Sequence, residues 1–239
     1  MMTWRNDSSG TAWPELISGD PTFEDFDVHV VNYYTRMWTS NQPRFTDLSS
    51  ALFKKLRAQK VFDYKTLHFI GHSMGGLLLI RQLIEVKTQM FPVPHAILDK
   101  YRSLILLGTP TEGSMDATFG RIFASATQLQ ALVPIQTNEF LYSVRQEFEG
   151  IKEKHLAGCL TAMAVSAGFE TEPYLGHIVV PQRSAVALAD PGRRRGFARN
   201  HSTLVKPADA TDPVYQWVKA QIEDGLRRPP SPASACRTG

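Results

Sequence analysis

The spacing of apolar residues changes along the chain in a way that predicts alternating strands and helices. Short apolar runs, rich in branched or aromatic residues, predict strands at 27–35, 66–71, 101–107, 160–169 and 178–180. Helical spacing predicts helices at 46–60, 74–86 and 212–226, and an irregular helical region at 111–155. Strands that alternate with helices are typical of a mostly parallel sheet covered on both faces. We therefore expect a doubly wound α/β fold.

Composition favours one globular domain. The chain has 239 residues, of which 43% are hydrophobic and 21% charged, enough to bury a sizeable core. We expect this domain to span residues 1–227. The last residues, 228–239, are rich in Pro, Ser and Arg and are expected to form a disordered tail.

Charge and cysteine content exclude several classes of function. The formal net charge is only +3, without a clustered basic face, so we expect no nucleic-acid partner. The two cysteines, Cys159 and Cys236, exclude a disulfide scaffold and a cysteine-rich zinc module. We see neither a signal peptide nor a transmembrane segment in the sequence. We therefore expect a cytoplasmic protein, with peripheral attachment to membranes as the alternative.

One motif carries chemistry. The segment from Gly71 to Gly76 reads GHSMGG and contains a G-x-S-x-G pattern between a predicted strand and a predicted helix. This pattern typically sets a serine on a sharp turn, with glycines where side chains would clash. We expect Ser73 to be a nucleophile and the backbone N–H of Met74 to face a developing oxyanion.

A serine needs a base to take its proton. In α/β folds that carry a G-x-S-x-G turn, the catalytic residues follow one another along the chain as serine, acid and histidine. The downstream histidines are His95, His155, His177 and His201. His201 is favoured because it lies in a loop between the last strand and the final helix. His177, directly before the predicted strand 178–180, is the alternative.

The acid should follow the strand at 160–169, and three residues meet that condition to different degrees. Glu170 stands nearest the carboxyl end of this strand and is favoured. Glu172 lies two residues further on, and Asp190 lies in the loop before the run of arginines. These two remain alternatives.

Several short segments carry a family resemblance. They are Trp13 to Leu16, Tyr33 to Thr35, Gly71 to Gly76, Leu107 to Pro110 with Gly113 and Ser114, Phe169 to Thr171, Val179 to Pro181 with Ser184 and Ala185, and Asn200 to Ser202 with Lys206 and Pro207. In these the chain resembles the SERAC and PGAP lipase-like group of α/β-hydrolase serine esterases. The resemblance runs from about residue 4 to the final helix. It implies a triad of Ser73, Glu170 and His201.

The sequence departs from this group in two places. Thr111 stands where the family usually has a histidine. Relatives also open with a strand and a His-Gly loop that supplies a second oxyanion N–H, whereas this sequence starts at a point that lies after that loop. We expect an N-terminally truncated form of an active esterase. The alternatives are a start codon assigned too late, a weakened or inactive remnant, or a missing piece supplied by another chain.

These observations predict a serine hydrolase that cleaves carboxylic esters, with no metal or organic cofactor. The resemblance favours lipid-like or acyl esters as substrates and a place in lipid metabolism. The region 111–155 is expected to form either a helical lid or ordinary core. The apolar residues that suggest a lid are Phe119, Ile122, Phe123, Leu129 and Leu132. The alternative functions are a non-catalytic module that acts through a protein partner or fused domain and, more weakly, an acyltransferase or amide hydrolase.

Overall fold

The sheet has four parallel strands. The computed structural model of the chain describes residues 3–31, 45–89, 94–112, 136–156 and 163–228. In these residues the strands are β1 (Leu67–His72), β2 (Tyr101–Leu107), β3 (Ala164–Glu170) and β4 (Arg194–Phe197). They pair in the order β1-β2-β3-β4, and each pairing is parallel. All four carboxyl ends therefore lie at one edge of the sheet.

Helices connect the strands and flank them. Their bounds are α1 (Trp13–Ser18), α2 (Phe45–Ala58), α3 (Met74–Gln89), α4 (Pro94–Leu98), α5 (Gln136–Leu156), α6 (Gln182–Val186) and α7 (Pro213–Leu226). Short 3₁₀ turns lie at Pro21–Phe23, Val61–Asp63 and Thr203–Val205. The α7 helix begins where the Asp212 side chain accepts a hydrogen bond from the Val214 N–H, and Pro213 occupies the first helical position.

The core lies on both faces of the sheet, and β2 is its centre. Every residue of β2 is buried, as expected for a parallel strand covered from both sides. Successive side chains of a strand point to opposite faces. Leu104 and Leu106 pack with α2, α3 and α5, whereas Ile105 and Leu107 pack with α1 and α7. The observed class is α/β, with a parallel sheet flanked by helices.

Most of the predicted elements are confirmed within a few residues, and β2 has the predicted bounds. The strand predicted at 178–180 is wrong, because Ile178 lies in no strand and residues 179–180 form a bend. The strand β4 was not predicted, since its first three residues, Arg194, Arg195 and Gly196, are exposed. Of the strand predicted at 27–35, residues 27–31 lie in no strand, and 32–35 fall outside the described residues.

The region predicted as a lid or as core is described only in part. Residues 113–135, which contain all the apolar residues proposed for the lid, fall outside the described residues. The described helix α5 packs on α3, and its side chains Leu141, Val144, Phe148 and Ile151 are buried in the main core. Cys159, Cys236 and the tail at 229–239 also fall outside the described residues. No helix in the described ranges is both long enough and apolar enough to span a membrane.

Candidate active site

The predicted site residues come together at the carboxyl edge of the sheet. Ser73 directly follows β1, Gly108 follows β2, Glu170 ends β3, and His201 lies in the loop after β4. In open parallel sheets, ligands bind in the crevice outside the carboxyl ends of the strands. The topology therefore brings together three side chains that are 97 and 31 residues apart along the chain, by subtraction of their numbers.

Ser73 occupies a strained turn between β1 and α3. Its φ of 52° lies in the left-handed region, which non-glycine residues seldom adopt and which often marks functional sites. Its backbone N–H donates to the carbonyl of Leu107 at 2.9 Å, which fixes the turn to the end of β2. The side chain is buried, and its Oγ has no hydrogen-bond partner among the described residues.

Two glycines allow this turn to be tight. A Cβ added to Gly71 would lie 2.6 Å from the Cα of Gly76, closer than real Cβ atoms approach a backbone. The last residues of β1 and the first turn of α3 are therefore in direct backbone contact. The glycine in this contact is Gly76, which lies one position beyond the final glycine of the G-x-S-x-G pattern.

Met74 begins α3 directly after the serine. The first N–H groups of a helix have no acceptor within the helix and carry part of its positive dipole. The Met74 N–H can therefore donate to an anion that forms beside Ser73. The Met74 side chain is buried among apolar residues around the site, in a cluster that includes Phe169, Val179 and Val180.

His201 and Glu170 form a buried hydrogen bond. The Nδ1 of His201 lies 3.1 Å from Oε1 of Glu170, and the two side chains are 5% and 0% exposed. The same carboxylate oxygen accepts a hydrogen bond from the Val180 N–H at 2.8 Å. Because an ionised carboxylate only accepts, Nδ1 of His201 carries the proton of the neutral ring. Nε2 is then the nitrogen that can take a proton.

Gly108 allows this pair to lie close to the end of β2. Its φ is +54°, and a Cβ added there would stand 3.1 Å from both Oε2 of Glu170 and Nδ1 of His201. A side chain at this position would press on the pair from the β2 side. The end of β2 therefore forms one wall of the site.

The loop that carries His201 is held by its own turn and by the N-terminal segment. The Asn200 Oδ1 accepts from the N–H groups of Ser202 and Thr203 at 3.1 and 3.0 Å, which forms an Asx turn around His201. Further along, the Trp13 indole N–H donates to the Val205 carbonyl at 2.9 Å. The His201 loop is therefore fixed at both of its ends.

The alternative acids lie elsewhere. Glu172 is exposed, and its backbone N–H bonds to the carbonyl of Arg199. Asp190 lies at the opposite end of β3, where it accepts from the Val165 N–H at 3.0 Å and pairs with Lys152. Neither residue is the one that the structure brings to His201.

The alternative bases are also separate from this group. His177 is exposed in a turn closed by backbone hydrogen bonds with Tyr174. The side chains of His95 and His155 fall outside the described residues. Of the two downstream histidines whose side chains are described, His177 and His201, the structure brings His201 to a buried carboxylate at this edge.

Two features of the site were not predicted from the sequence. His72 donates from Nε2 to the backbone carbonyl of His201 at 3.0 Å. In addition, buried polar atoms without a hydrogen-bond partner among the described residues gather here: Oγ of Ser73, Oγ1 of Thr109 and Oε2 of Glu170. Such atoms are rare in folded proteins, and a functional site is one explanation for them. The position of His72 inside the motif was the available signal, since it directly precedes the serine.

Thr111 has a clear structural role. Its hydroxyl donates to the carbonyl of Ser184 at 2.6 Å, and its N–H donates to the same carbonyl at 3.1 Å. The next residue, Glu112, forms ion pairs with Arg145 of α5 and Arg183 of α6. The segment that leaves β2 is therefore held against both helices.

The described side chains contain no group of three or more His, Cys, Asp or Glu residues that could hold a metal ion. The arrangement that they do contain is a buried acid–histidine pair and, at the same edge of the sheet, a serine on a left-handed turn.

The described residues define an α/β protein with a parallel sheet flanked by helices, and the sequence comparisons find weak similarity to one protein. The chain is 29% identical to bovine Protein SERAC1 over 192 residues, which is 75% of this chain and 27% of that protein. It is 37% identical to human Protein SERAC1 over 71 residues, 30% of this chain and 10% of that protein. The mouse protein gives the same identity and coverage as the human one.

These similarities are weak. The matched regions span between 10% and 27% of the lengths of these relatives. No protein-family model matches the chain. No solved structure matches it.

Proposed function

We propose that this chain is a serine hydrolase of the α/β-hydrolase class that cleaves carboxylic esters. The observation that carries the proposal is the buried hydrogen bond between His201 and Glu170 at the same sheet edge as Ser73. A histidine paired with a carboxylate is what a serine needs to become a nucleophile at neutral pH. The similarity to SERAC1 adds support for hydrolase chemistry.

In the proposed first half-reaction, Ser73 Oγ attacks the acyl carbon while Nε2 of His201 takes the hydroxyl proton. Glu170 stabilises the imidazolium and keeps its Nδ1–H pointed away from the serine. The tetrahedral intermediate then releases the alcohol, which receives its proton from His201. The acyl group stays on Ser73 as an ester.

In the second half-reaction, water attacks the acyl-enzyme with His201 again acting as the base. The carboxylic acid leaves, and Ser73 regains its proton. The Met74 N–H donates to the oxyanion in both tetrahedral intermediates. These two half-reactions need no metal or organic cofactor.

The choice of Glu170 as the acid is supported by its double contact. One oxygen accepts from both His201 and the Val180 N–H, so the carboxylate is held in place by backbone as well as by the base. Hydrogen bonds from N–H groups to a carboxylate are charge-assisted and stronger than neutral ones. Glu170 can therefore orient the imidazole without moving itself.

We propose acyl esters with an apolar chain as the substrate class. A buried apolar cluster that includes the sequence neighbours of Ser73 and Glu170 supports this: Met74, Phe169, Val179, Val180 and Val186. We further propose that residues 1–227 form the hydrolase domain. A lid in the region 111–155 is also a proposal.

The test is labelling of the full 239-residue chain by a fluorophosphonate probe, which reacts with activated serines. Ser73→Ala should abolish labelling, and the matched control Ser143→Ala, at an exposed serine on α5, should not. His201→Ala and Glu170→Ala should strongly reduce labelling, in contrast with His177→Ala and Glu172→Ala.

Each outcome decides between the candidate functions. Labelling that depends on Ser73, His201 and Glu170 supports the hydrolase, and a series of esters of increasing acyl length then tests the substrate class. A folded protein that does not react, or that reacts equally after Ser73→Ala, contradicts the proposal. That result would favour a non-catalytic module that acts through protein contacts.

A further inference from the structure

The side chain of His72 links the turn that carries the serine to the loop that carries the base. His72 is the last residue of β1 and directly precedes Ser73. Its Nε2 lies 3.0 Å from the backbone carbonyl of His201, 129 residues further along the chain. The two imidazole rings lie side by side, with centroids 4.7 Å apart. One side chain thus connects the turn that carries Ser73 to the loop that carries His201.

The chemistry of this contact fixes the tautomer of His72. A carbonyl oxygen only accepts hydrogen bonds, so Nε2 of His72 must carry a proton. In the neutral ring, Nδ1 of His72 then carries none. The contact therefore needs a donor at the far end of the side chain, but it needs no charge.

The surroundings of His72 favour the neutral ring. Burial, the neighbouring His201 and the charge of Lys206 outweigh the backbone hydrogen bond and lower the pKa of His72 to about 3. Lys206 itself pairs with Asp7, and the Trp4 ring lies edge-on to the His72 ring. Across the range in which an ordinary histidine titrates, His72 thus adds no positive charge beside the base.

We propose that His72 is a positioning residue for His201 and acts through the peptide carbonyl of that residue. The inference rests on the proposed function and deepens it. The Nε2–H of His72 sets the position of the His201 backbone relative to the turn at Ser73. The hydrogen bond to Glu170 then sets the rotation of the His201 ring. Together the two contacts fix the base in position and in orientation.

The size of the expected effect follows from the geometry of proton transfer. A misplacement of about 1 Å in a catalytic group can cost about 10²-fold in rate. Loss of the His72 donor removes the contact between the serine turn and the base loop, so we expect a loss of about 10- to 100-fold in kcat for ester hydrolysis. KM should change little, because the His72 ring contacts the base loop and is not placed to bind the acyl group.

The test compares His72→Gln with His72→Met in the full chain. The two side chains have similar length, but only glutamine offers an N–H donor at its end. We expect His72→Gln to retain most of the labelling rate and kcat of the unchanged protein, and His72→Met to lose about 10- to 100-fold. His68→Phe, at another partly buried histidine of β1, controls for loss of stability without loss of this contact.

The outcomes separate this inference from the proposed function. If the unchanged protein does not label, or labels equally after Ser73→Ala, both proposals fail. If it labels through Ser73 but His72→Met reacts as fast, or His72→Gln is as slow as His72→Met, the positioning role fails and the hydrolase stands. If folded His68→Phe lost kcat equally, the positioning role would also fail. The loss of kcat would then come from reduced stability and not from the missing donor.

A spectroscopic measurement checks the tautomer independently of activity. ¹⁵N NMR of the histidine side chains should show a ring with its proton on Nε2 that stays neutral at pH 5 and disappears in His72→Gln. A neutral His72 ring with its proton on Nδ1 would contradict the inference, because Nε2 could then not donate to the His201 carbonyl.

Discussion

Gly76 and Thr109 are in direct contact across the gap between α3 and the end of β2. A Cβ added to Gly76 would stand 2.1 Å from Oγ1 and 2.7 Å from Cγ2 of Thr109. Since Gly76 also faces Gly71, the first turn of α3 is packed between β1 and the segment that follows β2. The turn at Ser73 is therefore positioned by close packing on two sides.

This packing predicts that Gly76→Ala destabilises the fold. The new methyl group has no free space, so either Thr109 or the start of α3 must move. Overpacking of this kind typically costs about 1–3 kcal/mol in the free energy of unfolding. Urea unfolding of the purified variant, compared with the unchanged protein, measures the difference.

Gly150→Ala is the matched control. Gly150 lies inside α5, and a Cβ added there would meet nothing within 4 Å. Alanine should then raise stability by about 0.5–1 kcal/mol, because glycine is a poor helix former. Adding Thr109→Ala should recover part of the stability lost in Gly76→Ala. If Gly76→Ala is as stable as Gly150→Ala, the proposed contact does not exist.

The left-handed turn at Ser73 predicts different stabilities for two substitutions that both remove the hydroxyl. Alanine keeps the Cβ that makes a φ of 52° unfavourable, whereas glycine adopts this region freely. We expect Ser73→Gly to be about 1 kcal/mol more stable than Ser73→Ala. Thermal and urea unfolding of the two variants measure this difference.

Lys60 serves as a reference for this comparison. It also has a left-handed backbone, with a φ of 57°, but it lies after α2 and away from the site. The free energy of unfolding should be higher for Lys60→Gly than for Lys60→Ala by a similar amount. A glycine–alanine difference in stability at Lys60 but not at Ser73 would mean that the serine turn relaxes when its hydroxyl is lost.

The hydrogen bond of the Thr111 hydroxyl predicts that its loss lowers the stability of the fold. Thr111→Val keeps the shape of the side chain but removes the donor to the Ser184 carbonyl, and the residue is buried. We expect a loss of about 1 kcal/mol in the free energy of unfolding, and a smaller loss for Thr111→Ser, which keeps the hydroxyl. Thr3→Val, at an exposed threonine, should change stability by less than about 0.5 kcal/mol. Equal stability of the two Thr111 variants would contradict this role.

The elements that could be predicted from sequence are those with a strong local pattern. All residues of β2 are buried, so its apolar run alone marks both of its ends. The strand β4 has three exposed residues, and only its pairing with β3 makes it a strand. At 178–180 the branched residues suggest a strand, but the Val180 N–H bonds to a side chain, Glu170, and not to another strand. Such long-range pairing leaves no local pattern.

The same distinction applies to the site. Ser73 has a motif around it, so it could be singled out from local sequence. The choice among Glu170, Glu172 and Asp190 depends on which carboxylate reaches a loop from another strand, and spacing alone left it open. His72 was missed because its partner is a backbone carbonyl 129 residues away, which no sequence pattern marks.

Two partly buried histidines of β1 predict a loss of stability in mild acid. Burial, together with the nearby charge of Arg102, lowers the pKa of His68 to about 4, and His72 has a pKa of about 3. Both values lie below the ordinary 6.5, so between that pH and these values the unfolded chain binds more protons than the folded one. Stability is therefore unaffected by these groups above pH 6.5 and falls as the pH drops below it.

The expected slope approaches about 1.4 kcal/mol per pH unit for each histidine. Asp20 acts in a separate window: burial alone would raise its pKa, but Lys219 and other hydrogen-bond donors hold it at about 2, so its contribution is lost only below 3.8. Urea unfolding between pH 7.5 and 4.5 should show a smaller slope in His68→Asn, which keeps a donor to Ser103. His72→Gln should act likewise, and the double variant should have the smallest slope. An unchanged slope in the double variant would mean that other groups cause the acid sensitivity.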